Sequence, residues 1–339
     1  MKLRLFGIGI FLGLLTSSCF ETDEPVPPYE LPAGVDTLSL QNSIYDYQVY
    51  VDLGNGAIVS ENENAAWALA FECADAGYHI RINSSDLWGI VATGSSDMEA
   101  EFTADPSYTW KADKSDGNPD STAVGSWVRF NQGVPDYTRE VYLLGQYDGI
   151  NYQLAKKLQF ISVNEEAYRF LIDDPGGSDP DTVEVLKDDR FNYTQFSLES
   201  NRPVQLEPAK EEWDLLFQQY YTILYTDEGI PTPYYVRGVL LNPNGVEAAL
   251  DTIVHFLDMI YSQALQNSFS SSQDAIGHDW KSVEVDEASN SAEYRVRPGY
   301  TYLVRDSNQA LYKLRFTSFF NKSGLKGCPS IEFARLDPE

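Results

Sequence analysis

Tyr50-Val51-Asp52-Leu53 leads, fourteen residues later, to Trp67-Ala68-Leu69-Ala70-Phe71, and Phe196-Ser197-Leu198 leads, fifteen residues later, to Trp213-Asp214-Leu215-Leu216-Phe217. The landmarks that follow keep the same order. Val124-Gly125-Ser126-Trp127 answers to Ile276-Gly277-His278-Asp279-Trp280, and Tyr142-Leu143-Leu144 to Tyr302-Leu303-Val304. Tyr152-Gln153-Leu154 with Leu158-Gln159-Phe160 answers to Tyr312-Lys313-Leu314-Arg315-Phe316. Matched order and matched gaps predict two tandem, related domains, 46–172 and 193–336. Large aromatics that recur at fixed spacing predict core anchors, so Trp67, Trp127, Trp213 and Trp280 are expected to be buried.

The hydrophobic period within the repeats is mostly two. Tyr47, Val49 and Val51 alternate with Gln48, Tyr50 and Asp52, and Tyr78, Ile80 and Ile82 with His79, Arg81 and Asn83. Tyr294 and Val296 alternate with Arg295 and Arg297. These are half-buried strands, and with Gly, Pro and Asn between them they predict a mainly β fold of antiparallel sheets with short helical or irregular insertions. One stretch departs from the rule. Ile253, Phe256, Leu257, Ile260 and Ala264 fall at helical spacing within 251–265, with His255, Asp258 and Ser262 towards the other side, which suits a short amphipathic helix or an irregular loop. Asp173-Asp174-Pro175-Gly176-Gly177-Ser178-Asp179-Pro180-Asp181 interrupts the aromatic pattern, and 173–192 reads as a linker.

The amino-terminal end reads as a lipoprotein signal peptide over 1–18. Lys2 and Arg4 precede the apolar run Leu5–Leu15, which is short of the roughly 20 residues a membrane span needs. Thr16-Ser17-Ser18 then precede Cys19, the predicted acylated residue of the mature chain. An acidic segment, Phe20-Glu21-Thr22-Asp23-Glu24, and the stiff Pro25-Val26-Pro27-Pro28 form a tether over 19–45. The acidic segment resembles a signal for lipoprotein export to the cell surface, so an outer-membrane lipoprotein exposed at the surface is expected. The formal charge is −27, which disfavours nucleic acid and anionic lipid heads as partners. Beyond Cys19 only Cys73 and Cys328 remain, one in each repeat. A disulfide would have to tie the two repeats together; two isolated buried thiols are the alternative.

The carboxy-terminal repeat resembles the HmuY family of haem-binding surface lipoproteins. The residues that carry the resemblance are Trp213-Asp214-Leu215-Leu216-Phe217, Tyr235-Val236-Arg237-Gly238-Val239-Leu240-Leu241-Asn242, Ile276-Gly277-His278-Asp279-Trp280-Lys281 and Tyr312-Lys313-Leu314-Arg315-Phe316-Thr317-Ser318-Phe319. Gly324-Leu325-Lys326-Gly327-Cys328-Pro329 is similar to the family's close, with Cys328 where an aromatic is expected. The first repeat matches more faintly, with Ala68 in place of the motif Asp and Val128 in place of the Lys. The resemblance implies a largely β fold and capture of haem or a porphyrin for an outer-membrane transporter. The motif itself reads as a folding signature whose rings and glycines build the core.

Haem held without a covalent tether needs axial nitrogen or sulfur ligands, an apolar slot and cations for its propionates. His255 and His278, both in the repeat with the stronger resemblance, are the candidate axial ligands, and His79 and Met259 are weaker ones. The first repeat has Ser126 near the place of His278, so haem is expected on the carboxy-terminal repeat, in a fragment cut near Asp181. No nucleophile elbow and no His-Glu-x-x-His pair occurs, and Asp116, Asn118 and Asp120 start a calcium-loop pattern that Ser121 and Trp127 break. An enzyme is not expected. Two readings stay open: a haem-binding lipoprotein, and a binding or adhesion module that keeps the fold but takes a glycan or protein on exposed Tyr and Trp.

Overall fold

The computed structural model describes residues 31–226, 228–286 and 291–338. The predicted signal peptide and Cys19 lie outside them. The strands fall into four blocks. The first holds β1 (Asp36–Ser39), β2 (Tyr47–Asp52) and β3 (Ala57–Glu63). The second holds β4 (Leu69–Glu72), β5 (Ile80–Ile82), β6 (Trp88–Ala92), β7 (Val128–Asn131), β8 (Val134–Tyr137), β9 (Val141–Tyr147), β10 (Tyr152–Val163) and β11 (Ala167–Asp173). The third holds β12 (Asp181–Leu186), β13 (Tyr193–Ser197) and β14 (Arg202–Val204). The fourth holds β15 (Leu215–Tyr225), β16 (Pro231–Leu241), β17 (Glu247–Asp251), the single-turn α1 (Tyr261–Ala264), β18 (Lys281–Asp286), β19 (Ser291–Val296), β20 (Thr301–Arg305), β21 (Leu311–Phe320) and β22 (Lys326–Leu336).

The fold is mainly β, and one sheet plan occurs twice. A five-stranded sheet runs β1-β22-β21-β20-β17, and its counterpart runs β12-β11-β10-β9-β6. A four-stranded sheet runs β16-β15-β2-β3, and its counterpart β5-β4-β13-β14. Each set is completed by a two-stranded ribbon, β18-β19 or β7-β8. The blocks are therefore crossed: the first pairs with the fourth, and the third with the second. The registers match too. Val51 faces Leu215 and Val49 faces Phe217 in the outer half, while Phe196 faces Leu69 and Thr194 faces Phe71 in the inner half.

The cores follow this crossing. One gathers Leu38, Val49, Val51 and Leu53 with Leu215, Phe217, Trp280, Phe316 and Phe333, whereas the other draws every buried member from Ala68 to Phe196. The boundaries 46–172 and 193–336 therefore do not follow the cores. The outer half is 34–63 joined to the chain after β14, and the inner half is the insertion between those two parts. The tether expected over 19–45 therefore stops short of β1, because Leu38, Leu40 and Ile44 belong to the outer core. Nor is 173–192 a linker. Residues 174–180 form the β11–β12 loop, whose Gly177 carbonyl accepts from the wholly buried Lys157 Nζ at 2.5 Å, and β12 is an edge strand paired with β11 from Ala167–Leu186 to Ile172–Asp181.

Matching side chains do matching work. The Asn83 amide donates to the carbonyls of Asn64 and Trp67 at 2.7 and 2.9 Å, and the Asn242 amide to those of Lys210 and Trp213 at 2.8 and 2.7 Å. Both satisfy carbonyls where the chain enters the four-stranded sheet. Asp214 adds an outer-half tie that Ala68 cannot make, accepting the Leu53 N–H at 2.8 Å. Trp127, Trp213 and Trp280 are buried, as their spacing predicts, but Trp67 is only half-buried. Its Nε1–H donates to Gln48 Oε1 at 2.8 Å, and Gln48 Nε2 donates in turn to Gln218 at 2.6 Å and Ser85 at 2.9 Å. This polar junction lies where the halves meet and pulls Trp67 away from a purely apolar site. It also explains why β2 is buried on both faces instead of one. Its Tyr50 packs edge-on against Trp213, ring centres 5.0 Å apart.

Cys73 and Cys328 are both free and buried, so no bridge ties the halves. The helical spacing within 251–265 yields one turn, Tyr261–Ala264. The rest is irregular: Phe256 and Met259 pack onto the sheet below, while Ile253, Leu257 and Ile260 face outwards.

Candidate functional site

The β15–β16 hairpin pairs over eleven residues, from Leu215–Leu241 to Tyr225–Pro231. Its base fills the outer core, and its distal part brings Tyr221, Tyr234, Tyr235 and Arg237 to the surface, where they line two adjoining cavities. The cavity on the outer half, about 300 Å³, is closed by Tyr45, His278, Lys281, Tyr294 and Phe319. That towards the inner half, about 580 Å³, is closed by Trp110, Tyr147 and Tyr152. Tyr234, Tyr235 and Arg237 belong to both, so they form one groove with an aromatic lining, of a size that takes small ligands. A third hollow of about 500 Å³ continues it past Trp110 and Tyr152 to Tyr108 and Asp105.

Close backbone approaches set the groove's shape. Gly89 and Gly145 are cross-strand partners. A Cβ on Gly89 would come 2.3 Å from the Tyr152 ring, and one on Gly145 would come 2.7 Å from Trp110. Their absence lets the two rings lie on the sheet, stacked 4.6 Å apart. In the outer half, Gly277 adopts φ +63°, and it exchanges N–H···O bonds of 2.9 and 3.1 Å with Val239. A Cβ on Gly238 would come 2.3 Å from the Gly277 carbonyl oxygen. This glycine pair seats the His278 turn against β16 and points it at the groove.

The electrostatics there are unusual for so acidic a chain. Burial pushes the His278 pKa below its ordinary value, with Lys281 acting the same way and Asp279 opposing, so the imidazole is neutral at pH 7 and can act as a ligand. Burial, reinforced by Arg237, brings Lys281 down to about 7. Lys281 Nζ donates to the Arg237 carbonyl and sits 4.3 Å from the centre of the Trp280 ring. The Arg237 guanidinium lies over Tyr45 at 4.0 Å, and its buried Nε has no hydrogen-bond partner. Tyr45 and Tyr294 join hydroxyls at 3.2 Å. A neutral imidazole, two basic groups and flat aromatic walls meet in one hollow.

The structure does not bring His255 to His278. Along β21, Tyr312, Leu314 and Phe316 face the core that holds Trp280, while Leu311 packs with Met259, and Lys313 and Arg315 lie under the Phe256 ring. His255, an exposed residue in the turn before Phe256, is therefore on the opposite side of the five-stranded sheet from His278. A bis-histidine site of these two is excluded, since an intact sheet separates them. Met259 is 1% exposed among Ala249, Leu303 and Leu311, a packing role. His79 lies in the inner half, its Nδ1 2.6 Å from Glu72. Among the described residues no His, Cys, Asp and Glu cluster is arranged to hold a metal ion.

Sequence reading missed the groove itself. Tyr235 and Arg237 belong to the motif that reads as a folding signature, yet both line the cavities. The available signal was the density of tyrosine, 22 in the chain, and the doublets Tyr220-Tyr221 and Tyr234-Tyr235.

No family model and no curated protein matches the chain. Solved structures similar to it include HmuY-like proteins. Apo PinO from Porphyromonas gingivitis is 11% identical, covering 90% of this chain and 98% of its own, with a TM-score of 0.28. The apo HmuY analogue of Tannerella forsythia is 8% identical, covering 90% and 96%, with a TM-score of 0.24. A Bacteroides vulgatus protein assigned provisionally as HmuY-like and heme-binding is 17% identical, covering 53% and 91%, with a TM-score of 0.19. Overlays this loose carry no argument about chemistry, so the functional reading rests on the groove and on the motifs that resemble the HmuY family.

Proposed function

We propose that this protein is a surface lipoprotein, anchored through Cys19, that captures a planar anionic aromatic ligand of the haem or porphyrin class and presents it to an outer-membrane transporter. The observation that carries this reading is the joint placement of His278, Arg237 and Lys281 in one aromatic hollow. Bound haem would supply an iron with an open axial position. His278 would offer it a neutral nitrogen, Tyr45, Tyr234, Tyr235 and Tyr294 would flank the macrocycle, and Arg237 and Lys281 would meet the propionates. Because His255 lies across the sheet, His278 is the only histidine in the groove, which predicts a weaker axial field than a bis-histidine pair gives.

Titration of the full mature chain with haemin tests this. We expect a Soret band that saturates at one equivalent, and His278→Ala should shift it and weaken binding at least tenfold through loss of the iron–nitrogen bond. A broad response that never saturates, unchanged by His278→Ala, would remove the haem reading. One observation favours a second reading, a glycan or protein ligand: the groove runs on past His278 to the stacked Trp110 and Tyr152. Haemin binding that fails while Tyr152→Ala abolishes binding on a glycan array would favour that alternative.

A further inference from the structure

Each half carries a long excursion over the outer face of its five-stranded sheet, and the two are pinned alike. In the inner half, between β6 and β7, Met98 is buried and Lys157 Nζ donates to the Ala100 carbonyl at 2.9 Å. In the outer half, between β17 and β18, Met259 is buried and Lys313 Nζ donates to the Met259 carbonyl at 3.1 Å. Phe256, Met259 and Ala264 point inwards, and Thr301 Oγ1 donates to the Val254 carbonyl at 3.0 Å. The backbone is held down.

The outward sides differ. The inner excursion shows Asp97, Glu99, Glu101 and Asp105 and has no large exposed aliphatic among its described residues. The outer one turns out Ile253, Leu257, Ile260 and Leu265 at 88, 50, 42 and 50% exposure. From 252 to 270 its sole Asp, Glu, Lys or Arg is Asp258. Other exposed aliphatics, such as Val59, Ile150 and Leu325, are scattered along the chain. Scattered ones need no explanation, but four in one pinned, nearly uncharged segment mark a contact face.

The place of this segment says what covers it. Phe256 packs with Val35 and Ala334, so the aliphatic face sits where the chain emerges from its amino-terminal tether. Fourteen residues, 20–33, separate Cys19 from Gly34, a reach of at most about 50 Å when fully extended and about 20 Å for a flexible coil. A chain held by Cys19 presents this end to the bilayer at high effective concentration, and so a contact too weak to recruit free protein is populated once the anchor is in place. The charge of −27 rules out electrostatic attraction to anionic lipids and leaves apolar contact as the means.

We propose that the 252–270 excursion is a membrane-contacting face, with Ile253, Leu257, Ile260 and Leu265 entering the headgroup–acyl boundary of the leaflet that holds the acylated Cys19. It rests on the reading of Cys19 as the lipidated residue. The contact fixes the orientation of the protein, setting the sheet's opposite side, with the His278 groove beyond it, away from the lipid.

The test uses the lipidated full-length chain in phosphatidylethanolamine–phosphatidylcholine vesicles, with a nitroxide on Ile253→Cys or on Ile150→Cys, an 81% exposed control in the β9–β10 turn. Cys73 and Cys328 are buried and do not compete for label. We expect the label at 253 to be several-fold more accessible to oxygen than to a water-soluble nickel chelate, relative to the label at 150, and Leu257→Asp with Ile260→Asp to abolish that difference. Protein that floats with the vesicles while both labels meet the chelate equally overturns the membrane face, keeps the anchor and leaves the patch to a protein partner. Protein that does not float overturns the anchor and the membrane face together.

Discussion

The turn around Trp127 and the turn around Trp280 occupy the same place in the two halves, and only the second lines the aromatic groove. The backbone frame is shared. Thr138 N–H donates to the Trp127 carbonyl at 3.0 Å and Arg297 N–H to that of Trp280 at 2.9 Å, and Gly125 and Gly277 adopt φ +68° and +63°. The inner turn is one residue shorter, Ser126 standing for His278 and Asp279, and Val128 replaces Lys281. Tyr137 stacks on Trp127 at 5.7 Å, while Val296 holds its ladder position in the outer half. One insertion and three substitutions thus separate a filled core from a hollow holding an imidazole and an ammonium group. The inner half still contributes to the groove, but as wall: Trp110, Tyr147 and Tyr152.

The comparison breaks most visibly if the halves are cut apart. A fragment beginning near Asp181 lacks Leu38, Val49, Val51 and Leu53, all of the outer core, and lacks Tyr45 of the groove. We expect it to show no cooperative unfolding and no ligand binding, whereas 64–206, which contains every buried member of the inner core, should fold by itself. Circular dichroism melts of the two fragments decide this, and a fragment from 182 onwards that folds would refute the crossed pairing.

A smaller effect separates the tryptophans. Trp280 is 1% exposed and stacks on Phe316 at 4.0 Å, so Trp280→Ala should cost about 3–5 kcal/mol in urea unfolding. Trp67→Ala should cost clearly less, since the ring is half-buried and its indole N–H is bonded to Gln48. Equal losses would show that the polar junction matters as much as the core.

A dip in stability near pH 7 is also expected. Burial raises Glu207 from 4.5 and Asp214 from 3.8, each to about 7. The folded state therefore holds more protons than the unfolded chain between those limits, and stability falls as pH rises towards 7. Lys281 is lowered from 10.5 to about 7, so above pH 7 the unfolded chain holds the extra proton and stability rises again. Lys281→Met should flatten the alkaline limb and Glu207→Gln the acidic one, read as Tm against pH. The 64–206 fragment has Val128 at the place of Lys281 but keeps Lys187, whose pKa burial also lowers. Its alkaline rise should therefore be smaller than that of the whole chain, and a rise of equal size would show that Lys281 is not its main source.

Local patterns in the sequence determined a good deal. Alternation of apolar and polar residues predicts β2, β5 and β19 because a strand exposes its side chains with period two, and recurring Trp, Leu and Phe mark equivalent strands because each must fill the same gap between sheets. His278 was legible as a candidate for the same local reason, an imidazole set in a glycine turn. Three things were decided only in the tertiary structure. The partner of β2 was open because Leu69-x-Phe71 and Leu215-x-Phe217 offer equivalent registers, so local chemistry does not choose between them. The separation of His255 from His278 depends on which face of β21 each segment covers, and spacing along the chain carries no sheet face. The groove arises where Trp110 and Tyr152 of one half meet Tyr234, Tyr235 and Arg237 of the other, residues more than eighty positions apart that only the crossed fold makes neighbours.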